Sequence, residues 1–252
     1  MLGGIDGDGI EGVMRCALEA SASDLLATAD STTYYARCTL MSDRIPAASL
    51  PKDVTLVLDD ASRPFEFGRQ LTTVVEGSDT DRFVYVGAGA GPLLGISELI
   101  DLAENLETSD RVCVTNNYYS ADLFAVRPAN LLSEVEHWPA SDNGVPRMLK
   151  EQFDVEIKEL PRTTSTQLNI DSPIDLVALS LTEVGGPRLN EYLRIWKPDT
   201  NRMLEAAQKF TDHQAEVLVA GRVSSRAWQY LERETACRVR VLAEERGMTV
   251  AG

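Results

Sequence analysis

Several apolar runs in this 252-residue chain end on side chains able to do chemistry. VTLVLDD, residues 54–60, closes on Asp59 and Asp60. RFVYVGAGAG, residues 82–91, runs into Gly87, Gly89 and Gly91. Asn116, Asn117, Ser120, Asp122 and Arg127 crowd one short stretch, and Asp171 and Asp175 flank Ser172-Pro173. Open α/β sheets present ligand-binding groups at the ends of their strands. Carboxylates there suit a hard divalent cation, and glycines let a phosphate or base approach the backbone. Uncharged amides suit hydroxyl groups, and an arginine fork suits a phosphate.

Each placement has a second reading in ordinary structure. Asp60 enters a loop that also carries Arg63, as a turn residue would. The GxGxG lacks both Rossmann spacing and a P-loop lysine, and a tight strand-to-helix turn uses the same glycines. Asp171 stands where a helix beginning near Pro173 needs a cap, Asp175 suits its first turn, and Arg127 before Pro128 suits a surface pair.

Other chemistries find little support. His137 and His213 accompany no recognisable serine or cysteine nucleophile. Cys16, Cys38, Cys113 and Cys237 lie far apart without a CxxC pair, so they read as small buried hydrophobes rather than a zinc site or disulfide framework. Trp138, Trp196 and Trp228 read as packing residues. The net charge of −15 opposes a nucleic-acid backbone. It opposes a nucleotide too, unless basic groups or a cation offset it. No apolar run approaches a membrane span, and Met1–Gly12 lacks a signal-peptide build, which gives the expectation of a cytoplasmic protein.

The elements that position these groups follow from periodicity. Residues 9–21 carry Val13, Cys16, Ala17 and Ala20 at helical spacing. Strands are expected around 24–28 and 33–40, then at 54–60, after a connection marked by Pro46 and Pro51. Helices follow at 67–76, 96–106 and 145–152, with strands at 82–86, 111–115, 121–128 and 154–160. Pro173 opens another helix. Strands alternating with helices imply a mostly parallel sheet covered on both faces, a three-layer α/β/α arrangement. Beyond Gly185-Gly186-Pro187 the pattern changes: helix over 188–213, strand 215–221, helix 224–235 and strand 237–245. The expected division is a domain of residues 1–186 and a small α/β appendage of 187–252.

Four segments, in order, resemble the nucleotidyltransferase branch of the GT-A-like fold, which includes molybdenum-cofactor and phospholactate guanylyltransferases. They are FEFGRQLTTVVEG (65–77), VYVGAGAGPLLGISELIDLAENL (84–106), NNYYSADLFAVRP (116–128) and LNIDSPIDLVAL (168–179). The last is similar to the family's D-I-D-T-P-E-D-L and is the most specific of the four. The resemblance implies a nucleotide-diphospho-sugar transferase-like fold. It implies transfer of a guanylyl or cytidylyl group from a nucleoside triphosphate to a phosphorylated small molecule, with Mg2+. Asp171 matches a metal aspartate of the family. Gly3 and Gly4 match the start of its phosphate loop, and Asn117, Ser120, Asp122 and Arg127 its acceptor side.

The departures are specific. Ala90 stands where the family carries its other metal aspartate, leaving Asp60 as the candidate to supply that carboxylate. The loop's lysine has no counterpart before Lys52. Two functions therefore stand side by side: a magnesium-dependent enzyme, or a catalytically silent binding or regulatory module. Self-association into a homo-oligomer is compatible with either, as the charge-interleaved tail reads as an edge element or an assembly surface.

Overall fold

The structure is a computed structural model that describes residues 9–60, 62–139, 142–221 and 223–243. It divides into two compact units, Met1–Lys197 and Pro198–Gly252.

The first unit opens with α1 (Gly9–Asp30), which continues through residues 24–28, where a strand was expected. The reason lies in the buried stripe Val13, Ala17, Ala20 and Asp24, whose spacing of four, three and four is helical. β1 (Cys38–Ser42) and β2 (Val54–Leu58) pair in parallel as a sheet of their own. Next come α2 (Phe67–Glu76), β3 (Phe83–Val86), α3 (Ile96–Asn105), β4 (Val112–Thr115) and β5 (Leu123–Arg127). They are followed by α4 (Val145–Phe153), β6 (Glu156–Glu159), the single turn α5 (Thr164–Gln167), α6 (Pro173–Thr182) and α7 (Pro187–Trp196).

The central sheet has the order β3–β5–β4–β6. β4 and β6 are parallel, and β5 runs antiparallel to both β3 and β4. The architecture is mixed α/β, with a mixed central sheet where a mostly parallel one was expected. Only residues 116–122 join β4 to β5, and a parallel return needs a crossover of about a dozen residues or more. Alternation along the strands sends side chains to opposite faces. Cys113, Phe124 and Val126 pack with Phe67, Leu71 and Val75 of α2 and Met148 and Leu149 of α4. Val112, Val114, Leu123 and Ala125 pack with Leu99, Leu102 and Leu106 in and after α3. Cys113 is fully buried, and that burial pushes its thiol up to about 12.

A third cluster joins α1 to α6 and α7. Ala17 and Ala20 are fully buried and allow close approach of α7. The Tyr192 hydroxyl donates to the Val13 carbonyl (3.1 Å). Asp24, 8% exposed, accepts from the backbone N–H groups of Arg188 (3.1 Å) and Leu189 (2.9 Å) and from the Arg188 guanidinium (3.3 Å). A residue on α1 thus caps α7, a contact that no local pattern announces.

The helix expected over 188–213 is two helices, α7 and α8 (Asn201–Phe210). Lys197 adopts a left-handed conformation at φ 50°, and Pro198 follows, a common way to stop a helix. The second unit continues with β7 (Glu216–Gly221), α9 (Ser225–Glu234) and β8 (Arg238–Ala243), and β7 and β8 pair in parallel from Glu216↔Arg238 to Gly221↔Ala243. No helix among the described residues is long and apolar enough to cross a membrane.

Candidate functional site

Because β5 runs antiparallel to its neighbours, its first residues lie at the same end of the sheet as the last residues of β3 and β4. That end gathers the glycine loop after β3, Asn116 after β4, and Asp122 before β5. The Gly87 N–H donates to the Asp122 carbonyl (2.8 Å), extending the ladder one step past β3.

A fourth piece joins from residues 169–171. Ala90 forms an isolated antiparallel bridge with Asn169, and the Ile170 N–H donates to the Gly89 carbonyl (2.8 Å). The close approach that Gly89 permits is used by the chain itself, since a Cβ there would lie 2.8 Å from the Ile170 carbonyl oxygen. Gly91 sits at φ 64°, the left-handed region that favours glycine. Ala90 is 6% exposed and brings no ligating group.

Asp122 is held in place by amides. Asn169 Nδ2 donates to Asp122 Oδ2 (2.8 Å). Asn143, with its amide oriented to satisfy its neighbours, donates to Asp122 Oδ1 (3.3 Å) and the Ala121 carbonyl (3.1 Å). Asn116, 4% exposed, accepts from the N–H groups of Asp122 and Leu123 (both 3.3 Å) and donates to the Thr166 carbonyl (3.1 Å).

Asp171 is set differently. The cap of α6 is assembled by its neighbours: Asp175 Oδ2 accepts from the Asp171 N–H (3.0 Å), the Ser172 N–H (2.7 Å) and the Ser172 hydroxyl (2.9 Å). The Asp171 carboxylate accepts no hydrogen bond and meets no cation among the described residues. Burial, then the nearby Asp122 and Asp175 carboxylates, raise its pKa above the ordinary value. An acid with like charges nearby and no partner among the described residues is a candidate functional residue.

The remaining candidates lie elsewhere. Asp60 follows β2, outside the central sheet. Its Oδ1 accepts from the Ser62 N–H (3.0 Å) and hydroxyl (2.5 Å), and Arg63 lies 3.6 Å from its Oδ2. Those bonds from Ser62 lower its pKa. Arg127 ends β5, roughly 17 Å along the strand from Asp122 at about 3.4 Å per residue. It pairs there with Asp81 (2.9 Å), Glu107 (3.6 Å) and Asp110 (3.8 Å). Asn117 and Ser120 lie in the turn between β4 and β5, close to Asp122. Gly3 and Gly4 lie outside the described residues. Asn143 and Asn169 are site residues that the sequence reading did not single out. Asn169 was within reach of it, as the first position of the Asn-Ile-Asp run.

Among the described residues no three His, Cys, Asp or Glu side chains gather as a metal-binding group. Asp122 and Asp171 form a two-carboxylate set. Mg2+ is commonly held by one or two carboxylates with substrate phosphates completing its shell, so this donor set fits that ion. A separate cleft of about 390 Å3 lies between α1 and the starts of α3 and α7. Asp24, in its lining, is already engaged with α7.

No protein-family model matches the chain, and no curated protein matches it. Among solved structures it is similar to a protein from Desulfovibrio desulfuricans G20 provisionally described as a nucleotide-diphospho-sugar transferase. The two are 13% identical, the match covers 71% of this chain and 84% of that one, and the TM-score is 0.49.

Proposed function

We propose that the first unit is a nucleotidyltransferase-like module that binds a nucleoside triphosphate through Mg2+ held by Asp122 and Asp171. The observation that carries this reading is the unpartnered Asp171 carboxylate beside Asp122, at the end of the sheet where the glycine loop also emerges. Asp122 takes the role the sequence had left to Asp60. When bound, Mg2+ supplies positive charge to the phosphates and to the charge that develops during transfer. The chain itself aims the two carboxylates: Asn169 and Asn143 fix the rotamer of Asp122, and the cap built from Ser172 and Asp175 leaves Asp171 uncommitted.

The reaction in this reading is attack by a phosphate oxygen of a small acceptor on the α-phosphorus of the triphosphate. The new P–O bond forms as the bond to the bridging α–β oxygen breaks, and the electron pair leaves with pyrophosphate. GTP and CTP are the donors to try first, with a phosphorylated small molecule as acceptor.

The test is thermal unfolding with GTP, CTP, ATP and UTP, with and without Mg2+. A nucleotide at a hundredfold excess over its Kd stabilises by about 2.7 kcal/mol. That raises the Tm by about 5–10 °C in a chain of this size. The shift requires Mg2+ and disappears in Asp171→Asn. No shift with any nucleotide overturns the reading.

A second reading, a module that binds without turning over, rests on Ala90, which is buried and brings no carboxylate. It gives the same Mg2+-dependent shift but no release of pyrophosphate.

A further inference from the structure

The sheet of the second unit is covered on one face only. β7 and β8 pair in parallel, with α8 packed on β7 and α9 on β8. Exposure alternates along both strands. Val217, Val219, Val239 and Val241 are half-buried, whereas Glu216, Leu218, Ala220, Arg238, Arg240 and Leu242 are exposed. The helices therefore cover the valine face and leave the other face open. Parallel sheets are ordinarily covered on both faces, and two strands alone are marginally stable in water. Leucines left on the open face forgo the stabilisation that burial would bring.

The register lays this open face out in three rows: Glu216 beside Arg238, Leu218 beside Arg240, and Ala220 beside Leu242. The first row is an ion pair at 2.7 Å, and Arg240 has no ion pair among the described residues. A two-fold axis parallel to the strands sets β7 of one copy over β8 of another, and each row then meets its own reverse. Glu216 faces Arg238 of the second copy, the stem of Arg240 covers Leu218 of the second copy, and Ala220 meets Leu242. An axis across the strands sets Arg240 against its own counterpart, a like-charge contact that desolvation makes costly. Charge complementarity selects the first arrangement.

Net charge points to the same unit. Residues from Pro198 to Gly252 include eight acids and eight bases, while the whole chain carries −15. Copies that meet through the neutral unit avoid the like-charge repulsion that opposes contact through the acidic one. We infer that the open face of the β7–β8 sheet is a dimer interface, and that its occupant is the same face of a second copy of this chain. The inference does not depend on the nucleotidyltransferase reading. One two-stranded face is small for an interface, so the dimer is weak, with a Kd on the order of 10–100 µM.

Sedimentation equilibrium on the full chain, over about 1 to 500 µM protein, reads the association. Wild type should rise from 27.6 kDa toward twice that mass. Leu218→Lys removes an exposed apolar group and sets a second cation against Arg240 of the other copy. It should weaken association about tenfold or more. Glu216→Arg and Arg238→Glu each place like charges across the axis and should weaken it about tenfold. Mixed in equal amounts, these two charge variants should dimerise again with close to wild-type affinity, because each chain supplies the charge that the other needs. Neither variant regains its own internal ion pair on mixing, so this rescue reports contact between copies rather than recovered folding. Wild type that stays at 27.6 kDa throughout overturns the inference. So does a Leu218→Lys variant that associates like wild type, or a mixture of the charge variants no heavier than either alone.

Discussion

Asp171 and Asp24 show how differently a carboxylate can be treated within one fold. Asp24 is buried but accepts three hydrogen bonds at the start of α7, so its charge is compensated where it sits. Asp171 has like charges for company, and its folded pKa is raised. A raised carboxylate pKa means that the native state keeps a proton the unfolded chain has already released. Stability therefore falls as pH rises from the unfolded value, about 3.9, through the folded one, and the deficit persists above it. Asp171→Asn is expected to unfold at a higher temperature than wild type at pH 7, by on the order of 1 °C. That advantage should shrink as pH falls through the same window. A variant less stable than wild type at pH 7 would show that Asp171 has a stabilising partner. A gain in stability paired with loss of the nucleotide shift is the pattern of a residue kept for function.

At the scale of elements, the site depends on a backbone contact rather than on any one side chain. Residues 169–171 reach the sheet by bridging the glycine loop, and Gly89 is what admits them. Gly89→Ala forces either the loop or the Ile170 carbonyl to move. A destabilisation of about 1–3 kcal/mol is expected in urea unfolding, together with a weaker Mg2+-nucleotide shift because Asp171 moves with its segment. Unchanged values on both would show that the bridge is dispensable. The elements themselves were largely legible from apolar periodicity. β2, α2, β3, α3, β4, β5, α4, β6 and α6 all fall close to where the pattern puts them. Two failures have physical causes. Residues 24–28 look extended when read alone, yet their buried stripe belongs to a helix that only α7 completes. The antiparallel sense of β5 follows from the length of the loop before it, which alternation of strand and helix does not reveal. The partnership of Asp122 with Asp171 was not legible, because it depends on the sense of β5, and Asp122 is separated from its amide partner Asn169 by 47 residues. Asp60 also lies at a strand end, but that strand belongs to a different sheet.

The whole molecule distributes charge and core unevenly. The unit from Pro198 to Gly252 carries eight acidic and eight basic residues, so the net −15 resides entirely in the first unit. None of the described residues of the second unit is fully buried, and Leu218 and Leu242 stand 66% and 68% exposed. A unit of this size with so little core holds only marginal stability. The two units are therefore expected to unfold separately, the second at the lower temperature. Limited proteolysis with temperature should cut after Pro198 first and leave a folded fragment ending near Lys197. Simultaneous loss of both units would show that they unfold as one.

The burial of Cys113 has a use. Its sulfur lies in the middle strands of the central sheet, inaccessible and held as a thiol by its high pKa, whereas Cys16, Cys38 and Cys237 are partly accessible. A thiolate-seeking reagent added to the native protein meets those three first and reaches Cys113 only when the sheet itself comes apart. The slowest of four labelling phases is then a clock for the opening of the core, running in the native protein without any denaturant.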